Sequence, residues 1–452
     1  MTSLPLVIAL VMNNTSGHQP IKSRSLHEWL ETIEASHPSE IEMGLERALT
    51  VYSRMRSSFS KVVLVAGTNG KGSTIAMLER LLLNAGQNVG VYTSPHITQY
   101  NERIRINGKN ADDQQIIQSF ERVEAARKGI PLTYFEFGTL SALSCLECEN
   151  LDIVLLEVGL GGRLDAVNIV DPDLAIITSI DIDHTDWLGS DRESIGFEKA
   201  GILRPGIPAI YGEINPPESI CQQVLAQKVK MLYCQQHFGM APEKDLASES
   251  NKGFISDKAG HRKDIQLPNC LLPENNILMA LQAMECLGFS LDNRIISETL
   301  DGFVVEGRLE VVSDTPIVLL DVGHNPHASR FLAHRLNALA KGRSVYAVFS
   351  ALADKDIAGI ISPLRSLIKA WHIAPLECAR AKDISDISSA LAELNLEYTE
   401  HLSLSSAYDQ AFSEASESVV PSSDEPEEMG IVICFGSFYV VSEIKENKKW
   451  TV

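Results

Sequence analysis

Positive charge is scarce in this chain. Its 452 residues carry 39 Lys+Arg against 59 Asp+Glu, a formal net charge of −20. Nonspecific binding to nucleic acid or to an anionic membrane surface needs a basic face, so neither partner is expected, although a local cationic site remains open. Long apolar runs are lacking too. The short N-terminal run, residues 4–12, falls far below the ~20 residues of a membrane span. It has no basic region ahead of it and no small-residue cleavage site, so it reads as a loose leader before a first helix near Leu26 rather than a signal peptide. Cysteine is sparse and scattered, eight residues in all, which suits reduced thiols in a cytoplasmic protein and not a disulfide framework. Cys145 and Cys148 form a C-x-x-C, but in a helical run with no second pair nearby. A core-facing helix is expected there, not zinc or redox chemistry. No internal repeat is visible.

What is present is ordinary globular material: 44% hydrophobic and 22% charged residues. The length predicts two or three domains and a core that needs no staple. Short β-rich runs alternate with helix-period runs, the pattern of an α/β fold with a mostly parallel sheet. Strands are expected at 61–66, 88–92, 152–158, 174–180, 208–211 and 230–233. A polar stretch follows over 241–265, then a helix over 274–287. A second alternating series has strands at 317–321, 345–349, 370–374 and 431–435. A boundary near 304–308 gives a large N-terminal P-loop domain, 1–306, and a smaller Rossmann-like C-terminal domain, 307–452. Residues 413–429 carry six acids and no base and read as a solvated insertion.

The strongest local signal is the apolar run from Val62 into Gly67-Thr68-Asn69-Gly70-Lys71-Gly72-Ser73, followed by a helix-period run. A buried strand, a Gly-rich turn and a helix let backbone N–H groups wrap a phosphate at the positive end of the helix dipole. Lys71 would reach phosphate oxygens and Ser73 could ligate Mg²⁺. The pattern departs from the usual P-loop twice: Val65 replaces the first Gly, and Gly72 follows Lys71 where Ser or Thr is usual. A generic GTPase or kinase is therefore a poor match. Three further strand ends carry Ser94, Glu157 and His184. In open α/β sheets ligands bind beyond the carboxyl ends of the strands, so these groups should converge on the phosphate loop and hold a divalent cation. Singly each reads as structural, with Asp181 and Asp183 as helix caps; together they read as a site.

The motifs Gly67–Ser73, Tyr92-Thr-Ser-Pro-His96, Glu157-Val-Gly-Leu-Gly-Gly-Arg163, Asp183-His-Thr-Asp186, Glu198-Lys-Ala-Gly201, Gly307-Arg308 and Asp321-Val-Gly-His-Asn-Pro326 stand in one order. The set resembles the folylpolyglutamate synthase family of the Mur ligase superfamily over most of the chain. The resemblance implies an ATP-dependent amide ligase of folate biosynthesis. It would add L-glutamate to dihydropteroate and to tetrahydrofolate through an acyl phosphate, as a monomer. It implies Thr68, Asn69, Gly70, Lys71, Gly72, Ser73, Asn276, Arg308 and Asp321 at ATP. It implies Ser73, Ser94, Glu157, His184 and a carbamylated Lys199 at two Mg²⁺ sites, with K⁺ as an option, and Lys71, Glu157, His184 and Lys199 in catalysis. The pterin would meet Thr133, Tyr134, Phe135, Glu136, Leu164, Asp165 and Ala166, and residues 40–47 resemble a mobile substrate loop; without the resemblance, residues 132–139 read as an aromatic strand packed in the core. His324 either assists Asp321 or precedes a helix cap made by Asn325 and Pro326. A muramyl ligase would need a domain ahead of the P-loop, for which only 66 residues are present. A monofunctional folylpolyglutamate synthase and a P-loop nucleotide switch are the remaining alternatives.

Overall fold

A computed structural model describes residues 24–37, 42–55, 58–241, 252–418 and 429–448. Most of the leader, residues 40 and 41 of the early substrate loop, and residues 419–428 of the acidic segment lie outside this set. No described helix is long and apolar enough to cross a membrane.

The chain folds as two α/β units with mostly parallel sheets. The first sheet contains β1 (Val62–Ala66), β2 (Val89–Tyr92), β3 (Ile104–Ile106), β4 (Lys109–Asn110), β5 (Ile153–Glu157), β6 (Leu174–Ile177), β7 (Pro208–Tyr211) and β8 (Lys230–Tyr233). Their spatial order is β4-β3-β2-β5-β1-β6-β7-β8. Strands β2, β5, β1, β6, β7 and β8 are parallel, and β3 and β4 add an antiparallel edge. The central strands β1, β2, β5 and β6 are buried throughout, which is why their apolar runs are nearly continuous: helices cover both faces. Central β1 pairs Val65 with Glu157 of β5 and Ala66 with Ile177 of β6. The turns leaving β2, β5, β1 and β6 therefore open on one edge.

The second unit holds β12 (Glu310–Asp314), β13 (Ile317–Asp321), β14 (Val345–Phe349), β15 (Ile368–Ile373), β16 (Tyr398–Glu400) and β17 (Ile431–Phe435) in the order β12-β13-β17-β14-β15-β16. Only β12 runs antiparallel.

Between the two larger sheets in chain order comes a feature absent from the sequence expectation: a three-stranded antiparallel sheet of β9 (Gly239–Met240), β10 (Lys252–Ser256) and β11 (Arg262–Gln266). The stretch 241–265 is therefore not merely polar. Ile255 and Ile265 are buried in the same core as Leu278 and Met279 of the helix Glu274–Leu287. The hairpin turn is closed by Asp257, whose carboxylate accepts the N–H groups of Ala259 and His261.

Three other expectations need correction. The strand placed at 174–180 stops at Ile177, because Thr178 and Ser179 turn their hydroxyls onto the carbonyl of Asn69 (2.6 and 3.1 Å). The acidic stretch 413–429 is not wholly an insertion. Residues 413–417 end the helix Leu404–Glu417, where Ala407, Tyr408, Ala411 and Ala415 form a buried stripe. Residues 132–139 are not an aromatic strand; the helix Tyr134–Glu147 begins there, capped by Thr133. That helix buries Cys145 and leaves Cys148 exposed.

Candidate active site

The loop after β1 is fastened to the start of the β6 turn. Thr68 N–H donates to Ser179 O (2.9 Å), Thr68 Oγ1 donates to Asp181 O (3.0 Å), and Asn69 N–H donates to Ser179 Oγ (3.0 Å). Gly67 leaves no room for a side chain, since a Cβ there would lie 1.8 Å from Thr178 Oγ1. Gly70 is the N-cap of the helix Lys71–Asn84 in left-handed conformation, φ +87°, with no side chain capping it. The leading amides of that helix are thus left to face the cleft. Lys71 Nζ donates to Gly67 O at 3.0 Å, so its ammonium sits over the loop.

Glu157 ends β5 beside this loop. It is 6% exposed, and among the described residues its carboxylate receives one hydrogen bond, from Ser94 N–H at 3.2 Å. Burial raises its pKa, opposed by Lys71, the Ser94 amide and Arg308. Ser73, also buried, has no hydrogen-bond partner for its hydroxyl among the described residues. A buried carboxylate with one donor, beside two serines, is a hard oxygen set short of positive charge, and it fits Mg²⁺. His184, with φ +52°, lies beyond β6 as the N-cap of the helix Thr185–Leu188; burial lowers its pKa to about 4, so the imidazole is neutral and able to ligate. Lys199 is 3% exposed. Burial, with Lys71 adding repulsion, lowers its pKa to about 7.

The second unit closes the cleft. Arg308 is pinned over the Phe438 ring, 5.3 Å from guanidinium carbon to centroid. Asp321 accepts from Leu309 N–H (3.0 Å) and Gly323 N–H (2.7 Å). Burial raises the Asp321 pKa and lowers that of Arg308, each moderated by the other. Asn325 caps the helix Pro326–Ala340 through Ala328 N–H (3.0 Å) and also exchanges amide hydrogen bonds with Asn69 (3.1 and 3.0 Å). The cap and the domain contact are thus the same residue.

Together these groups line one cleft of about 1060 Å³, which includes Thr68–Ser73, Ser94, Glu157, His184, Lys199, Asn276, Arg308 and Asp321. The pterin-segment residues Thr133, Tyr134, Phe135, Glu136, Leu164, Asp165 and Ala166 do not line it. Thr133 and Glu136 form a reciprocal capping box, and Glu136 pairs with Arg47 at 3.0 Å. Tyr134 lies under Arg103 at 5.6 Å and Phe135 lies 6.4 Å from Tyr92. Asp165 accepts the N–H groups of Leu160 and Val167 at 2.8 and 2.9 Å, and burial raises its pKa to about 6.

Two parts of the chain match family models: residues 65–211 match the Mur ligase middle domain, and residues 307–438 the Mur ligase glutamate ligase domain. The dihydrofolate synthase/folylpolyglutamate synthase of Escherichia coli K12 is 42% identical over 429 residues, covering 94% of this chain and 96% of that protein.

The chain belongs to the dihydrofolate synthase/folylpolyglutamate synthase family.

The solved structure of E. coli FolC in complex with DHPP and ADP is similar at a TM-score of 0.84 and 39% identity, covering 94% of this chain and 98% of that one. A bifunctional folylpolyglutamate synthase/dihydrofolate synthase with Mn, AMPPNP and L-glutamate bound is similar at 0.82 and 38%, with 94% and 98% covered. Members of this family are ATP-dependent ligases, and the chain is an enzyme of that class.

Sequence reasoning missed the residues that join the two units. Asp183 is no helix cap: His184 is the N-cap of the helix Thr185–Leu188, and no side chain caps it. Asp181 likewise turns its carboxylate elsewhere, to Arg330 at 2.8 Å. The Asp183 carboxylate instead accepts from Lys355 Nζ (2.8 Å), Asn325 Nδ2 (3.0 Å) and His184 N–H (2.9 Å). Burial opposes its charge, but His184, Lys355 and His324 outweigh burial and hold its pKa well below the usual carboxylate range. Asp183, His184 and Asp354 present ligand atoms within 4.8 Å of one another. Lys355 Nζ bridges the two carboxylates, at 2.8 Å from Asp183 and 3.0 Å from Asp354, so Asp183 and Asp354 belong to an ion-pair network beside His184. Nothing in the sequence marks Lys355; the Asp183-His184 strand end was the readable half.

Proposed function

We propose that this enzyme adds L-glutamate to dihydropteroate, giving dihydrofolate, and to tetrahydrofolate, giving polyglutamates. The observation that carries this reading is the joining, in one cleft, of a Gly-rich phosphate loop, the buried carboxylate Glu157 and Arg308 from the second unit. We divide the chain at 306/307, the turn from which Arg308 enters the cleft.

The chemistry follows from the substrates. A free carboxylate is a poor electrophile. Transfer of the ATP γ-phosphoryl group to a carboxylate oxygen forms an acyl phosphate and releases ADP. The glutamate amine then attacks the acyl carbon, loses a proton and expels phosphate, leaving an amide. Phosphoryl transfer depends mainly on positioning and charge neutralisation. The loop amides from Thr68 to Ser73 cradle the phosphates, with Lys71 moving from the loop carbonyls onto them. Asn276 and Asp321 hold the nucleotide, and Arg308 reaches its phosphates across the closed cleft. Ser73, Ser94, Glu157 and His184 would hold Mg²⁺, which would supply neutralisation of the phosphoryl oxygens. Lys199, with much of its amine neutral near pH 7, carries a carbamate that turns a buried cation into an anionic ligand; K⁺ is an optional further ion. The pterin rests outside the lining of this cleft, against Thr133–Glu136 and Leu164–Ala166. The enzyme works as a monomer in the cytoplasm.

A product assay tests this reading. With ATP, Mg²⁺ and glutamate, dihydropteroate should yield dihydrofolate and tetrahydrofolate should yield its glutamylated form. Product from tetrahydrofolate alone supports a monofunctional folylpolyglutamate synthase, and product from neither overturns the ligase reading.

A further inference from the structure

Arg308 enters the cleft from a turn of uncommon backbone. Gly307 and Leu309, on either side of it, have φ of +63° and +46°. A leucine in the left-handed region persists only where its surroundings hold it there. Three hydrogen bonds brace this turn: Arg308 N–H to Val305 O (3.0 Å), Val322 N–H to Gly307 O (2.9 Å) and Leu309 N–H to Asp321 Oδ2 (3.0 Å). A fourth comes from Glu310, whose Oε2 accepts Gly307 N–H at 2.8 Å.

Glu310 is itself held. Lys445 Nζ donates to its two carboxylate oxygens at 2.9 and 3.1 Å, and to Glu306. Lys445 belongs to the helix Phe438–Asn447, whose first residue supplies the ring beneath the Arg308 guanidinium. Val441 of the same helix lies 3.6 Å from the position of a Gly307 Cβ. Phe438, Val441 and Lys445 fall at i, i+3 and i+7, which is one helical face. That single face meets the guanidinium, the turn backbone and the carboxylate that braces the turn.

We propose that this face of the C-terminal helix is the positioning device for Arg308, and that Lys445 and Glu310 are positioning residues for the ligase reaction. The proposal rests on the reading that Arg308 contacts the nucleotide phosphates. A guanidinium fork recognises phosphate oxygens within narrow geometry, and a shift of about 1 Å removes much of the benefit. The Lys445 and Glu310 side chains are 16% and 17% exposed, so water screens their pair only partly. Without Lys445, Glu310 is free to turn to solvent, Gly307 N–H loses its acceptor, and the turn relaxes from the conformation that aims Arg308.

The test is steady-state kinetics in ATP, with the full chain and saturating folate acceptor and glutamate. The variants are Lys445→Met, Lys445→Arg, Glu310→Gln, Arg308→Ala and Arg308→Ala with Lys445→Met. Lys445→Met should raise KM for ATP and lower kcat/KM for ATP on the order of tenfold, leaving KM for the folate acceptor unchanged. Lys445→Arg should stay within about threefold of the parent because it keeps the charge. In the Arg308→Ala background, Lys445→Met should cause no further loss, since both act through one group. Additive losses, or parental ATP constants for Lys445→Met, overturn the proposal. A role in global stability alone would lower the active fraction and leave KM for ATP unchanged. Should Lys445→Met fail to fold, Glu310→Gln carries the same test, because it keeps an acceptor for Gly307 and loses the ion pair. Parental kinetics for Arg308→Ala refute the phosphate reading itself, a result distinct from failure of the brace.

Discussion

Replacing Lys355 by Met keeps the length of the side chain and deletes its charge. In the parent, Lys355 Nζ lies 2.8 Å from Asp183 Oδ1, with the two side chains 5% and 9% exposed. The variant leaves a buried carboxylate without its principal cation, a change that costs about 3–5 kcal/mol when nothing compensates. Two donors remain, His184 N–H at 2.9 Å and Asn325 Nδ2 at 3.0 Å. They reduce the expected loss to about 2–3 kcal/mol. The double variant with Asp183→Asn removes both charges and should recover at least half of that loss. The pair joins the two units, so the loss falls on the transition that separates them in urea unfolding at pH 7. The pH dependence has a definite sign. The folded-state pKa of Asp183 is depressed, so its contribution is complete above the unfolded carboxyl pKa of about 4 and disappears as pH falls through the folded value. Lys355→Met returns that pKa toward normal and should move acid unfolding to higher pH. A Lys355→Met protein within about 0.5 kcal/mol of the parent, or a double variant as damaged as the sum of the singles, would refute the reasoning.

Other outcomes follow from the cleft. Glu157→Gln should lower kcat by about 10³-fold or more while keeping the parental thermal midpoint, because burial already disfavours the charged form; near-parental activity removes Glu157 from metal binding. Lys199→Ala should be inactive and partly rescued by short carboxylates, and the parent should gain activity with bicarbonate as pH rises through about 7, where the amine loses its proton; a fully active Lys199→Ala excludes an essential carbamate. Gly67→Ala forces a Cβ to within 1.8 Å of Thr178 Oγ1, so kcat/KM for ATP should fall by about 100-fold, with partial recovery when Thr178→Ala is added. Equal activity of both Gly67 variants with the parent would show that the loop does not hold phosphate.

Legibility of this molecule in its sequence followed contiguity. The phosphate loop was readable because strand, glycines, Lys71, Ser73 and helix run consecutively, and the helix Glu274–Leu287 has its expected bounds. The three-stranded sheet was not readable: β10 and β11 are five residues each, and their buried Phe254, Ile255 and Ile265 are diluted among charges. Thr133-Tyr-Phe-Glu136 is a capping box in plain view, but its aromatics pulled the local alternative toward a strand. The Asp183–Lys355 pair could not be read at all, since its partners are 172 residues apart and meet only when the two units close. Arg308 was legible as a residue, but the helix face that aims it, 130 residues and more downstream, was not.

The most direct test of the central claim is ADP release under saturating ATP and Mg²⁺, measured with and without dihydropteroate and L-glutamate together. An amide ligase that needs its carboxylate acceptor should release ADP at least about tenfold faster with both present, in step with dihydrofolate formed. Equal ADP release with and without them would contradict the account.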